Sequence, residues 1–200
     1  VQGRLRISQV DGSAFKLGEN IATTPGKVVF RNDLFELIQY SPQVARTHEV
    51  PLLIVPPWIN KFYILDLTAQ KSYVRWCVEN GLTVFIISWV NADEKLGRKS
   101  FSDYMREGLL SAIDAVQKAT GAEKVNTVGF CIGGSLLAST MGYLAAKNDG
   151  RINSATFFTT QVDFEKAGDL LVYVDEDQVK WIEERMQDKG YLPGNRMADA

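Results

Sequence analysis

Short apolar blocks alternate with polar stretches along the chain, and their period changes in a regular order. Residues 28–31 and 35–40 flank Asn32-Asp33, a turn pair, and predict a β-hairpin. The polar stretch 41–49 leads to Pro51-Leu-Leu-Ile-Val55, an apolar run ended by Pro56-Pro57. A short run of this kind, closed by residues that cannot continue a ladder, predicts a buried strand. Tyr73, Trp76 and Cys77 then recur at helical spacing within 72–80, and Gly81 stands at the expected left-handed stop.

The same alternation continues downstream. Residues 83–87 predict a second buried strand, and the polar stretch 91–99 a loop. Ser100 or Ser102 can cap a helix running to Thr120, with Phe101, Met105, Leu109, Ala112, Ile113 and Val116 as its apolar stripe. Residues 124–130 predict a strand, Gly133-Gly134 opens a helix to about Lys147, and 152–160 predict one more strand. That helix is apolar nearly all round (Leu136, Leu137, Met141, Leu144, Ala145), so it is expected to be buried.

Strands alternating with helices between 50 and 160 define an α/β class with a mostly parallel sheet covered on both faces. After Gln161 the pattern changes: 170–174 is strand-like, Asp175-Glu176-Asp177 caps a surface helix, and Val179, Ile182 and Met186 form its stripe. The expected organisation is therefore an irregular lead-in over 1–26, core over 27–162, and the start of a cap or lid over 163–200.

Composition narrows the function classes. Hydrophobic residues make up 46% and charged residues 23%, an ordinary globular balance. Lys plus Arg total 22 against 24 Asp plus Glu, a net charge of −2, so no basic excess points to nucleic acid. The longest apolar runs are too short to span a bilayer. Two cysteines without CxxC or Cys/His spacing predict neither a disulfide framework nor a metal site, and free thiols point to a reducing, cytoplasmic compartment. No dinucleotide or Walker-type glycine pattern occurs, so no cofactor is expected.

The chemistry concentrates in Gly129-Phe-Cys131-Ile-Gly133-Gly134. It fits G-x-nucleophile-x-G, the elbow of an α/β-hydrolase-like sheet, with cysteine in place of serine. An apolar strand runs in and a helix runs out, which is the context the motif needs. The turn holds its nucleophile in a strained backbone conformation, and its neighbours must be glycines because bulk there would collide. The following helix presents unpaired N–H groups and the positive end of its dipole, which favours a thiolate over a thiol. The backbone N–H of Ile132 is placed for an oxyanion, and a second donor is expected from the loop after the third strand, at Trp58 or Ile59. Cys77, mid-helix among apolar neighbours, is expected in the core.

Cysteine in place of serine bears on the reaction. Passing an acyl group from a thioester to a thiol is close to isoenergetic, and the acyl-cysteine stays activated toward an alcohol. A transferase acting on thioesters is thus favoured, with a cysteine-elbow esterase or thioesterase as the alternative. A non-catalytic interaction module is the third reading. The single histidine, His48, lies in a polar loop before the elbow, whereas this fold orders its triad as nucleophile, acid, then His. His48 is therefore expected to be an exposed bystander. Asp163 is expected to be a turn residue. The chain opens on Val1 rather than Met and has no histidine after Cys131, so it is expected to be the front part of an incomplete domain.

Several motifs carry a family resemblance. They are Thr24-Pro-Gly-Lys-Val-Val-Phe-Arg-Asn-Asp33, Glu36-Leu-Ile-Gln-Tyr40, Val55-Pro-Pro-Trp-Ile-Asn-Lys-Phe-Tyr-Ile-Leu-Asp-Leu67, Thr83-Val-Phe-Ile-Ile-Ser-Trp89 and the cysteine elbow. From about residue 18 onward the chain resembles the catalytic region of polyhydroxyalkanoate synthases, acyltransferases that polymerise (R)-3-hydroxyacyl-CoA into storage polyester. The resemblance implies that Cys131 carries the acyl group or growing polyester chain as a covalent thioester. It also implies a homodimer, association with polyester granules, and a triad Asp and His that have no match in these residues.

Overall fold

The computed structural model describes residues 11–192 apart from 60, 174 and 188. A six-stranded sheet runs through the centre. Its strands are β1 (Gly26–Arg31), β2 (Phe35–Tyr40), β3 (Leu52–Val55), β6 (Val84–Trp89), β7 (Val125–Phe130) and β8 (Ile152–Phe158). They lie in the order β1-β2-β6-β3-β7-β8, while β4 (Asp66–Thr68) and β5 (Lys71–Ser72) pair separately as a small hairpin. The four strands from β6 to β8 are parallel, and β1 and β2 pair antiparallel at one end.

Period-two alternation decides which core each central side chain joins. Leu53, Val55, Phe85 and Ile87 enter one cluster, and Leu52, Ile54, Val84 and Ile86 enter the other. Helix α1 (Tyr73–Glu79) covers the second cluster with Val74, Cys77 and Val78, all fully buried. The first lies under Leu109, Ala112, Ile113 and Val116, and under Leu136 and Leu137 of α4 (Ile132–Ala146). Strands buried on both faces must read as continuous apolar runs, which is why β3 and β6 stand out in the sequence.

The expected stop at Gly81 and an unexpected cap at Ser72 bound α1. Ser72 caps α1 by accepting from the Arg75 N–H at 2.8 Å, and Gly81 adopts φ +82° just past its end. Ser100, rather than Ser102, caps the next helix and forms a reciprocal box with Asp103.

Three expectations are corrected. The helix expected over 100–120 is interrupted: α2 (Phe101–Asp103) passes into a π-helical turn, Tyr104–Leu110, before α3 (Ser111–Thr120). The widened turn rotates what precedes it, so Phe101 is exposed although Leu109, Ala112, Ile113 and Val116 are buried. Helix α4 is not buried all round, because Tyr143 and Ala145 face outward and Met141 is only half-buried. Small residues such as Ala145 count as apolar in a pattern without needing cover. Finally, Gly168–Tyr173 is a 3-10 helix and not a strand, with Gly168 turning at φ +61°; Val174 lies outside the described residues. A five-residue apolar run carries no period that separates the two states. Helix α5 (Glu176–Met186) follows, capped by Asp175 as expected. Residues 1–10 and 193–200, the outer parts of the expected lead-in and cap, are also outside the described residues.

Candidate active site

Parallel β3, β6, β7 and β8 end on one edge of the sheet, and the elbow is there. β7 stops at Phe130, Cys131 takes φ 54° and ψ −128°, and α4 begins at Ile132. A non-glycine residue at positive φ costs about 1–3 kcal/mol and persists only where its surroundings hold it. Here the end of β8 supplies the hold. The Cys131 N–H donates to the Phe158 carbonyl at 2.9 Å, and the Ser135 hydroxyl donates to the Gln161 carbonyl at 2.6 Å. The Thr160 hydroxyl lies 3.0 Å from the Phe158 carbonyl oxygen, turned back under the elbow by Thr159 at φ +48°.

Close approach explains the three glycines. A methyl group on Gly129 would lie 2.5 Å from the Gly134 Cα, and one on Gly134 would overlap the Thr160 hydroxyl oxygen. A methyl group on Gly133 would overlap the Val55 carbonyl oxygen and lie 2.6 Å from that of Pro56. The first turn of α4 therefore rests directly on the backbone leaving β3.

That backbone is the other half of the site. Pro56 and Pro57 are buried and turn the chain toward Trp58 and Ile59. Trp58 is half-buried against Tyr104 (ring centroids 5.0 Å), Trp89 (6.0 Å) and Phe101 (6.3 Å), while Ile59 is exposed. Trp58, Ile59 and Ile132 line one cavity of about 830 Å³, together with Lys61, Lys99 and Tyr104. Met186, Gly190 and Tyr191 line it too, so the segment that follows α5 (Glu176–Met186) reaches the site. A second, more apolar cavity of about 420 Å³ is lined by Phe101, Ile132, Ser135, Val162 and Phe164. Ile132, immediately after the cysteine, borders both.

Ile132 is the first residue of α4, so its N–H has no intrahelical acceptor. An anion beside Cys131 would meet that N–H and the positive helix end. Around the larger cavity, the Lys61 ammonium donates to Asn91 Oδ1 at 2.6 Å. A hydrogen bond to Glu107 raises the Lys99 pKa, and burial raises that of the Tyr104 phenol.

The remaining candidates are elsewhere. His48 is exposed, and its backbone N–H donates to the Gly81 carbonyl at 2.8 Å. It precedes β3, whereas Cys131 follows β7; these strands run parallel from Leu52↔Asn126 to Val55↔Gly129, so the two residues lie at opposite edges of the sheet. Asp163 accepts from the Glu165 N–H at 2.9 Å, as a turn residue does. Cys77 is fully buried, and burial pushes its thiol up to about 11. Among the described residues, no three or more His, Cys, Asp or Glu side chains are grouped to hold a metal ion.

Sequence reasoning missed Trp89, Ser135 and Thr160 as parts of the elbow's support. Trp89 left a signal, since a buried indole at a strand end needs an acceptor for its N–H. Thr159 and Thr160 left none, because their role depends on a positive φ and on contacts from another strand.

Strand order, elbow and parallel core define an α/β-hydrolase-like chain. A candidate hydrolase from Agrobacterium vitis S4 superposes with a TM-score of 0.50 at 13% identity, covering 80% of this chain and 59% of that one. An α/β-hydrolase enzyme from a lagoon-sediment metagenome also matches, with a TM-score of 0.44 at 13% identity over 79% of this chain and 62% of that one. Sequence carries the assignment further. Residues 1–77 match the family model described as poly-beta-hydroxybutyrate polymerase (PhaC) N-terminus. The chain is 59% identical over 198 residues to a poly(3-hydroxyalkanoate) polymerase of Methylorubrum extorquens, covering 99% of this chain and 33% of that protein. It is 44% identical over 177 residues to poly(3-hydroxyalkanoate) polymerase subunit PhaC of Cupriavidus necator, covering 88% of this chain and 30% of that protein. The chain is similar to the PhaC polymerases over nearly all of its own length, and it spans about a third of the length of these relatives.

Proposed function

We propose that this chain carries the nucleophile and oxyanion site of an acyltransferase that polymerises (R)-3-hydroxyacyl-CoA into polyester. The observation that carries the proposal is Cys131 at positive φ on the strand-to-helix elbow of a chain similar to the PhaC polymerases. The Cys131 thiolate attacks the thioester carbonyl carbon, and the carbonyl oxygen becomes anionic. The Ile132 N–H and one from Trp58 or Ile59 hold that oxyanion. The C–S bond to CoA breaks, the CoA thiolate leaves, and the acyl group remains as a thioester on Cys131. The hydroxyl oxygen of another acyl unit attacks this thioester, loses its proton to a base, and returns the thiolate. His48, at the opposite edge of the sheet, is not placed to be that base, and the resemblance to the polymerases implies a histidine in this role.

Residues 27–162 then form the first part of the catalytic core, and 163–200 begin a cap over it. The rest of the proposal follows the family: a homodimer working in the cytoplasm at the surface of a polyester granule, with no cofactor. No described helix is long and apolar enough to cross a membrane.

The test supplies the full-length protein with (R)-3-hydroxybutyryl-CoA and follows released CoA and products together. Polymer in proportion to CoA is expected. Stoichiometric free hydroxy acid without polymer would contradict the transferase and identify a cysteine-elbow thioesterase.

A further inference from the structure

The Trp89 indole N–H donates to the Pro56 carbonyl oxygen at 2.8 Å, and both residues are buried. The next two peptides lead to Trp58 and Ile59, the proposed source of the second oxyanion donor. The same carbonyl oxygen also faces the first turn of α4, where a methyl group on Gly133, two residues beyond Cys131, would lie 2.6 Å from it. The direction of this peptide therefore relates the two arms of the site, and an indole N–H fixes it.

Trp89 is itself fixed. Its ring lies 5.9 Å from Phe35 and 5.4 Å from Tyr104, centroid to centroid, with Trp58 edge-on at 87°. The π-helical turn Tyr104–Leu110 lays its backbone against the same ring at Gly108, where a methyl group would lie 2.8 Å from the indole Cη2. π-helical turns recur at functional sites, and this one leaves room for the indole that a side chain would take.

We propose that Trp89 is a positioning residue for the oxyanion arm: through the Pro56 carbonyl it sets where the Trp58–Ile59 backbone stands relative to the Ile132 N–H. This rests on the acyl-cysteine reading above. Trp89 lines neither cavity beside the elbow; it acts on the transition state by holding a donor in place, where a displacement near 1 Å costs on the order of 100-fold in rate.

The test is Trp89→Phe in the full-length protein, which keeps an aromatic ring and removes the N–H. With 3-hydroxybutyryl-CoA, kcat for CoA release is expected to fall about 10- to 100-fold with KM within about twofold. Alkylation of Cys131 by iodoacetamide develops no oxyanion, and its rate is expected to stay within about twofold of wild type. A role in core packing alone would slow both reactions together, and that parallel loss overturns the proposal, as does an unchanged kcat. Gly108→Ala pushes the indole without removing its N–H and is expected to lower kcat by a smaller factor, again sparing alkylation. It decides the matter by the same two rates if Trp89→Phe does not fold. A wild-type protein that is never acylated at Cys131 overturns both this assignment and the function it rests on. One acylated there but indifferent to Trp89→Phe overturns only the role of Trp89.

Discussion

Cys77 lies in the middle of α1, in the apolar cluster that holds Val74 and Val78, with nothing of it exposed. Cys131 lies half-buried at the head of α4, in a backbone conformation that few L-residues adopt, and the residue after it borders two cavities. The side chains are identical. Burial pushes the Cys77 thiol up to about 11, with a hydrogen bond to Tyr73 opposing in part. For Cys131 the fold instead supplies unpaired helix N–H groups, glycine-tight packing and room for a ligand. The two sites thus differ in burial, in backbone conformation and in their place on a helix.

The widest separation is expected in alkylation. With a pKa of about 11, Cys77 carries on the order of 10⁻³ thiolate at pH 8, and its burial removes access as well. Iodoacetamide at pH 8 should therefore label Cys131 at least about a hundredfold faster than Cys77, read by mass spectrometry of digests. Comparable rates would collapse the distinction.

Next in size is Gly133→Ala. Its new methyl group would meet backbone oxygens of Val55 and Pro56, which cannot swing away as a side chain would. A stability loss of about 3 kcal/mol is expected, with loss of acyl transfer, measured by urea denaturation and CoA release. Gly142→Ala, on the same helix with nothing near the added methyl group, should instead be neutral or slightly stabilising.

The smallest effect concerns Cys77 and alkaline pH. Its folded-state pKa stands above the usual value of 9.0, so the folded state holds this proton more tightly than the unfolded one. Stability is accordingly untouched by this group below pH 9 and falls as pH rises from 9 toward about 11, with a slope of at most about 1.4 kcal/mol per pH unit. Tyr40 and Tyr73, both raised by burial, add a loss of the same sign above pH 10. Cys77→Ala should cost about 1–2 kcal/mol at pH 7 through the cavity it leaves and flatten the decline between pH 9 and 10. An unchanged slope in that variant would move the titration elsewhere.

The same contrast explains what could be read from the chain. Leu52–Val55 and Val84–Trp89 were legible because strands buried on both faces have no polar alternative, and Gly81 and Ser100 because caps and stops follow local chemistry. The elbow was legible because strand, glycines and helix adjoin in sequence. The small hairpin of β4 and β5 was not read: Asp66 is buried there and accepts from the Ser72 hydroxyl within the hairpin and from that of Thr24, 42 residues away, so part of its stability comes from a distant partner. The π-helical turn was hidden for the same reason, since it answers to Trp89 on another element. The candidate site divides likewise. Cys131, Ile132 and the glycines were legible from one local motif, whereas the support from Thr160, Ser135 and Trp89 exists only after β6, β3, β7 and β8 are side by side.

The central claim is that Cys131 takes the acyl group. The direct measurement is to quench the full-length protein during turnover of 3-hydroxybutyryl-CoA, digest it, and locate the acyl adduct by mass. A hydroxybutyryl or oligomeric adduct on the peptide holding Cys131, none on that holding Cys77, and no CoA release from Cys131→Ala is the expected result. An adduct on another residue, or undiminished CoA release from Cys131→Ala, would contradict the account.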